Sequence, residues 1–256
     1  SWFRSNEVLL HAYGDRVMPR GAEWDGRWWS PIINAEHLAM RERVGMIDLS
    51  AFAVFDVTGL GALAYLQRMC VQQMEVPLDS VVYTSLLNES GGIKADLTVM
   101  RLSSDHFRVV TGGGYGMVDK KWLVDHVPKD GSAQLSEQCS AWCTIGLWGP
   151  RARDVLTSVA EEDVSNEAFP YATCSWITLG TLRVLASRIS YVGELGWELY
   201  APSEYGAALW DTLWEAGRPH GLVAGGYRAI DSLRLEKGYR AWAADITPEE
   251  TPYEAG

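Results

Sequence analysis

Lysine and arginine are scarce beside acid, 22 against 33 in 256 residues, for a formal net charge of −11. A surface that tracks phosphates needs clustered cations, so this shortage argues against nucleic acid as a partner. Long apolar runs are missing too. None approaches the roughly 20 residues that span a bilayer, and Ser1–Leu10 shows no signal-peptide pattern, so no membrane partner is expected. Cysteine occurs only as Cys70, Cys139, Cys143 and Cys174, with no CxxC pair and no nearby histidine to complete a zinc set. No metal site is expected. The four read as buried free thiols in a reducing compartment, the cytoplasm or, in a eukaryote, the mitochondrial matrix. GxSxG, HExxH, a P-loop lysine and the kinase motif set are all absent, and the five histidines share no paired spacing.

What is present is a folded globule's composition, with 12 tryptophans and 47% hydrophobic residues, enough apolar matter to exclude disorder. The first thirty residues, with Trp2, Phe3, Trp24, Trp28 and Trp29, have little periodicity and read as an arm, residues 1–35, packed on a body. Asn34 is a candidate cap for a helix over Ala35–Val44, and Ala53–Val57 is a strand. Gly59 opens a helix with Leu60, Leu63 and Leu66 on one face. Val81–Leu87 and Ile93–Leu102, joined by Asn88-Glu89-Ser90-Gly91-Gly92, form a hairpin. Strand alternation puts Ile93, Ala95, Leu97 and Val99 on one face of its second arm. Lys94, Asp96, Thr98 and Met100 share the other, so Asp96 looks into solvent or a cavity. The glycines at 112–116 follow the strand Phe107–Val110 and precede a helix over Met117–Asp125, but their spacing fails the dinucleotide fingerprint.

Beyond a soft boundary, the pattern repeats. Ala141–Trp148 reads as a strand, and Pro150 stands at the start of a helix over Arg151–Ala160. Cys174–Thr178 and Leu182–Ile189 make a hairpin through Gly180. A helix carrying Leu209, Leu213 and Trp214 ends at Gly217, and Gly225–Gly238 is a further helix. Hairpins with irregularly placed helices indicate an α+β fold with antiparallel sheets rather than a doubly wound parallel sheet. The expected division is 36–135 and 136–256, two intimately packed α+β domains.

By themselves, the carboxylates are ordinary. Asp96 between Lys94 and Thr98 fits a solvated strand face, Glu194 and Glu198 fit turn and strand-edge positions, and Arg234 and Glu236 fit structural ion pairs. Three ordered segments change that weighting. They are Tyr83 with Asn88–Val99; Tyr191-Val192-Gly193-Glu194-Leu195-Gly196-Trp197-Glu198; and Asp231-Ser232-Leu233-Arg234-Leu235-Glu236-Lys237-Gly238-Tyr239-Arg240, continuing to Asp245-Ile246-Thr247 and Thr251–Gly256. Together they resemble the aminomethyltransferase family, the T-protein of the glycine cleavage system and its relatives. The nearest likeness is to the folate-binding C-terminal part of dimethylglycine and sarcosine dehydrogenases and oxidases, and it runs from about Glu36 onward.

The resemblance implies the T-protein folate-binding fold and a tetrahydrofolate-dependent one-carbon transferase that turns an amine-derived iminium into 5,10-methylenetetrahydrofolate. It implies that Glu198 binds the pterin, whose donor edge a carboxylate can accept in bidentate fashion. It makes Asp96 the catalytic residue, holding a cationic iminium or orienting the attacking nitrogen. Tyr83, Tyr191 and Tyr171 are expected ring contacts, with Val110 among the cofactor-binding positions. Partners implied are tetrahydrofolate, a methylated amine-derived substrate and a flavin (FAD) oxidoreductase domain outside the chain. The family's C-terminal β-barrel is likewise expected outside it. T-proteins carry a folate-contacting arginine just before the Asp-Ser-Leu-Arg-Leu-Glu run, where Ile230 stands here with Arg228 two residues earlier. This departure favours the dehydrogenase-linked branch. Alternatives are a folate-dependent O- or S-demethylase and a non-catalytic folate-binding module, the latter disfavoured because Lys237-Gly238-Tyr239-Arg240 lacks that branch's cysteine.

Overall fold

The computed structural model describes residues 2–18 and 30–256, with side chains from Glu7 onward. The tryptophans of the expected arm, at 2, 24, 28 and 29, and Phe3 lie outside the described side chains. The described part of that arm is helical. Helix α1 (Trp2–Tyr13) and the turn after it bury Leu9, Tyr13 and Val17 against Ala35, Ala39 and Val223. Helix α2 (Pro31–Glu42) is capped by Ser30, whose hydroxyl accepts the Ile33 N–H, with Pro31 in its first turn. The expected cap at Asn34 is therefore one turn too late. Proline's fixed φ favours the helix start, and it has no N–H to leave unpaired. Val44 does not end this helix but opens a strand, β1 (Val44–Asp48).

The remaining order is β2 (Ala53–Thr58), α3 (Ala62–Met69), β3 (Val81–Leu87), β4 (Ile93–Arg101), β5 (His106–Thr111), α4 (Gly116–Asp125), β6 (Gln134–Glu137) and β7 (Trp142–Trp148). Then come α5 (Ala152–Thr157), β8 (Cys174–Leu179), β9 (Leu182–Ser187), β10 (Gly196–Pro202), α6 (Gly206–Gly217), β11 (Leu222–Ala224), α7 (Tyr227–Glu236) and α8 (Pro252–Ala255). Two helices differ from expectation. Leu60 is 96% exposed ahead of α3, whose buried face is Ala62, Tyr65 and Leu66. Helix α5 stops short of the expected Ala160 because Val159 and Ala160 leave it to meet the β8–β9 hairpin, where Gly180 N–H donates to the Val159 carbonyl and Ala160 bridges to Leu179.

One sheet has the order β11-β1-β7-β10-β9-β8 and the other β3-β4-β5-β2-β6. Pairing is antiparallel except where β1 runs parallel to β11. The sheets do not follow chain order, since β1 from the N-terminal half lies between β11 and β7. The fold class is α+β, as expected.

Strand alternation sorts the side chains into layers. On β10, Trp197, Leu199 and Ala201 face α5 and α6 in one core, while Tyr200 joins the opposite face. On β4, Ala95, Leu97 and Val99 pack with α3 and α4, while Met100 turns the other way. Val81, Met100 and Val110 of one sheet then meet Cys174, Leu185 and Tyr200 of the other. The result is helix, sheet, sheet, helix. Full burial of each such apolar side chain contributes about 1.5–3 kcal/mol. Asp96, Thr98 and Met100 of β4 and Glu198 and Tyr200 of β10 face the inter-sheet space, which is why Asp96 and Glu198 can share one cavity.

Candidate functional site between the two sheets

Between the sheets lies a cavity of about 720 Å³. Tyr83, Asp96, Val110, Tyr171, Tyr191 and Glu198, the six positions singled out in the sequence, all line it. They come from β3, β4, β5, the segment before β8, the segment before β10, and β10 itself.

Glu198 is buried, only 6% exposed. Its Oε2 accepts the Tyr200 hydroxyl at 2.6 Å, and Oε1 has no hydrogen-bond partner among the described residues. Burial pushes its pKa up to about 7, although the Tyr200 hydrogen bond lowers it. A desolvated carboxylate with a free oxygen favours a ligand that brings N–H donors. Tyr200 was not anticipated, yet it stands two residues along the same strand, hence on the same face as Glu198.

Asp96 sits on the facing sheet, where its Oδ2 accepts the Tyr83 hydroxyl at 2.9 Å. Burial raises its pKa, and the Tyr83 hydrogen bond pulls it back. Tyr83 itself stands at the opening, 60% exposed, as does Tyr171 at 66%. A second acid, Asp119, lines the same wall from the first turn of α4 and is 4% exposed. Burial pushes its pKa up to about 6; the Thr111 hydroxyl lowers it, while the charge of Asp96 adds to the rise. Sequence reasoning missed Asp119. The glycine cluster at 112–116 was the available signal, because it turns the chain so that the following helix begins at the cavity.

The third side is built from loops. Arg41 of α2 donates to the Val192 and Leu233 carbonyls and pairs with Glu194 and Glu236, tying the 190–195 segment to α7. This holds Tyr191, whose hydroxyl donates to the Arg240 carbonyl at 2.7 Å and whose ring stacks on Tyr239, centroids 6.3 Å apart. Trp242 closes the loop onto the hairpin by donating from Nε1 to Ile93 O at 3.0 Å. Arg234 is paired with Asp245, and Glu236 with Arg41, so both are structural ion pairs. Ile230 is buried against Met40, Ile47 and Leu233, and Arg228 is not part of the cavity wall.

No histidine lines the cavity; His37 contacts Ser232 and Glu236, and His126 contacts Trp122. All four cysteines are free, with Cys70, Cys143 and Cys174 buried and Cys139 half-buried. Among the described residues there is no group of three or more His, Cys, Asp or Glu side chains able to hold a metal ion. No described helix is long and apolar enough to cross a membrane.

The paired sheets with helices on their outer faces form a fold already known in solved structures. The aminomethyltransferase T of the glycine cleavage system from Bartonella henselae superposes with a TM-score of 0.77 at 26% identity, covering 95% of this chain and 66% of that one. The model of the GCVT N-terminal domain matches residues 2–256, and the chain belongs to that family. Relatives include 4-methylaminobutanoate oxidase (formaldehyde-forming) from Paenarthrobacter nicotinovorans, 39% identical over 89% of this chain and 28% of that protein. Human mitochondrial sarcosine dehydrogenase is 37% identical over 88% of this chain and 26% of its own length. The chain thus spans about a quarter of these two relatives. The family is one of folate-dependent aminomethyltransferases and related amine dehydrogenases.

Proposed function

We propose that the chain is the tetrahydrofolate-dependent one-carbon transferase module of an amine oxidoreductase. In this reading an amine-derived iminium delivers its carbon to tetrahydrofolate. The carbon–nitrogen bond to the donor amine breaks and the carbon bridges two folate nitrogens, giving 5,10-methylenetetrahydrofolate. Of the two protons those nitrogens lose, one leaves with the amine and one goes to solvent. The flavin domain that would generate the iminium is assigned to a partner region by analogy with the amine oxidase and dehydrogenase relatives.

The observation that carries the reading is Glu198, a desolvated carboxylate with one oxygen free in a cavity of about 720 Å³. That volume lies within the range of ordinary small-molecule sites. A reduced pterin offers two N–H groups along one edge, which suits such a carboxylate. Tyr83, Tyr171 and Tyr191 supply ring faces, and Val110 an apolar contact. Asp96 faces this position from the other sheet. Its pKa is raised by burial, so a neighbouring cation restores its preference for the charged form. It therefore holds a cationic iminium by position and electrostatics, without covalent attack.

Calorimetric titration of tetrahydrofolate into the wild type and Glu198→Ala tests this. Binding to the wild type, weakened about a hundredfold in the variant, is expected. No binding to the wild type overturns the function, and equal affinity overturns the role of Glu198. Formation of 5-methyltetrahydrofolate instead of the methylene product would point to demethylation.

A further inference from the structure

The cavity wall is lopsided in charge. Asp96, Asp119 and Glu198 are acidic, and Arg240 is the sole Lys, Arg or His among the described lining residues. Nearby cations are committed elsewhere. Arg234 is bound to Asp245 and to the Tyr239 carbonyl, Arg108 to Asp56 with its guanidinium over Trp142, and Lys94 covers the Trp122 ring. Arg240 makes no ion pair with any described residue, although its charge is among the causes that lower the Asp245 pKa. Of the five N–H donors of a guanidinium, it uses one, from Nη1 to the Gly238 carbonyl.

Its backbone, by contrast, is held on both sides. Gly238 turns the chain at φ +72, a left-handed conformation that favours glycine. Tyr239 is stacked on Tyr191, Tyr191 binds the Arg240 carbonyl, and Asp245 accepts the Ala241 N–H at 2.9 Å. A long cationic side chain on an anchored backbone, with all but one of its donors unspent, is suited to receive an anion. In a chain of net charge −11, an anionic group would otherwise meet only repulsion at this wall.

We propose that Arg240 binds a carboxylate of the ligand, so that the cavity selects molecules with donor or cationic groups for its acids and an anion for its arginine. This rests on the folate reading for one of two sources, the glutamyl tail of tetrahydrofolate. The other is the carboxylate of an amino-acid-derived donor. A planar guanidinium can grip either in bidentate fashion.

The test titrates tetrahydrofolate and tetrahydropteroate, which lacks the glutamate, into the wild type, Arg240→Leu and Arg240→Lys. N,N-dimethylglycine is compared with N,N-dimethylethylamine in the same way. The leucine variant is expected to lose about tenfold or more for tetrahydrofolate and less than about twofold for tetrahydropteroate, with lysine recovering part of the loss. If the carboxylate belongs to the donor, the selective loss moves to dimethylglycine while both pteridines bind as before. Unchanged affinity for every carboxylate ligand overturns the proposal. So does an equal loss with and without the carboxylate, which marks a purely structural role. Failure of the wild type to bind either pteridine overturns the folate reading, and the dimethylglycine pair then reads Arg240 independently.

Discussion

Both walls of the cavity place a carboxylate under a tyrosine hydroxyl, and the two pairs differ in depth. On β10, Tyr200 reaches Glu198 at 2.6 Å with both residues buried. On the facing sheet, Tyr83 reaches Asp96 at 2.9 Å with Tyr83 60% exposed. One hydrogen bond does not offset the removal of a charge from water, so the deeper acid is pushed up to about 7. Under the proposed function, this difference in depth gives the two acids different tasks. The deep carboxylate suits a ligand that stays and supplies donors. The one beside the exposed Tyr83 suits a group that arrives and leaves.

The strongest challenge to that division is Asp96→Ala. The rate of methylenetetrahydrofolate formation, measured above the spontaneous reaction, should fall by about 100-fold or more while tetrahydrofolate affinity changes by less than about threefold. A matched loss of affinity would erase the distinction between the walls.

Next in size is the pH dependence of stability. The pKa of Glu198 is raised from 4.5 to about 7 in the fold. Between those values the native state binds more protons than the unfolded chain, so stability falls as pH rises and levels off above about 7. The total is on the order of 3 kcal/mol. Urea unfolding at pH 5 and pH 8 should show Glu198→Gln losing most of its share of this fall, whereas Asp96→Asn should lose less. Equal flattening would mean that depth does not separate the two acids.

A smaller effect tests how the walls are joined. A Cβ on Gly92 would lie 1.8 Å from the Pro248 carbonyl oxygen, at the point where the hairpin meets the C-terminal loop. Gly92→Ala should therefore cost about 1–3 kcal/mol by overpacking, read from the denaturation midpoint. Tyr83→Phe should have the least consequence: a few-fold loss of rate, with affinity for tetrahydrofolate nearly unchanged.

Much of this was legible in the chain. The hairpin strands, their turn and the helix ending at Gly217 follow from alternation, turn residues and glycine placement. Alternation also put Asp96 on the less apolar face of β4. Other features were not legible for identifiable reasons. Asn34 looked like a cap because its side chain is of capping type, but Ser30 with Pro31 behind it satisfies the first turn earlier. Leu60 fitted the spacing of an apolar stripe, yet it precedes α3 and is exposed. Asp119 and Arg240 drew no functional role because an acid in a helix turn and an arginine in a loop are ordinary surface residues until another element faces them.

By itself, the sequence determined the local periods: which residues alternate, where glycine and proline break the chain, and therefore that even-numbered residues of β4 and β10 share a face within each strand. Those are consequences of neighbouring covalent geometry. Only the tertiary structure decided that the two faces confront each other, that β1 crosses to the second sheet, and that Asp119 and Arg240 join the same wall. Such facts depend on packing between segments that are not neighbours in the chain, where burial and charge compensation, not local preference, choose the partners.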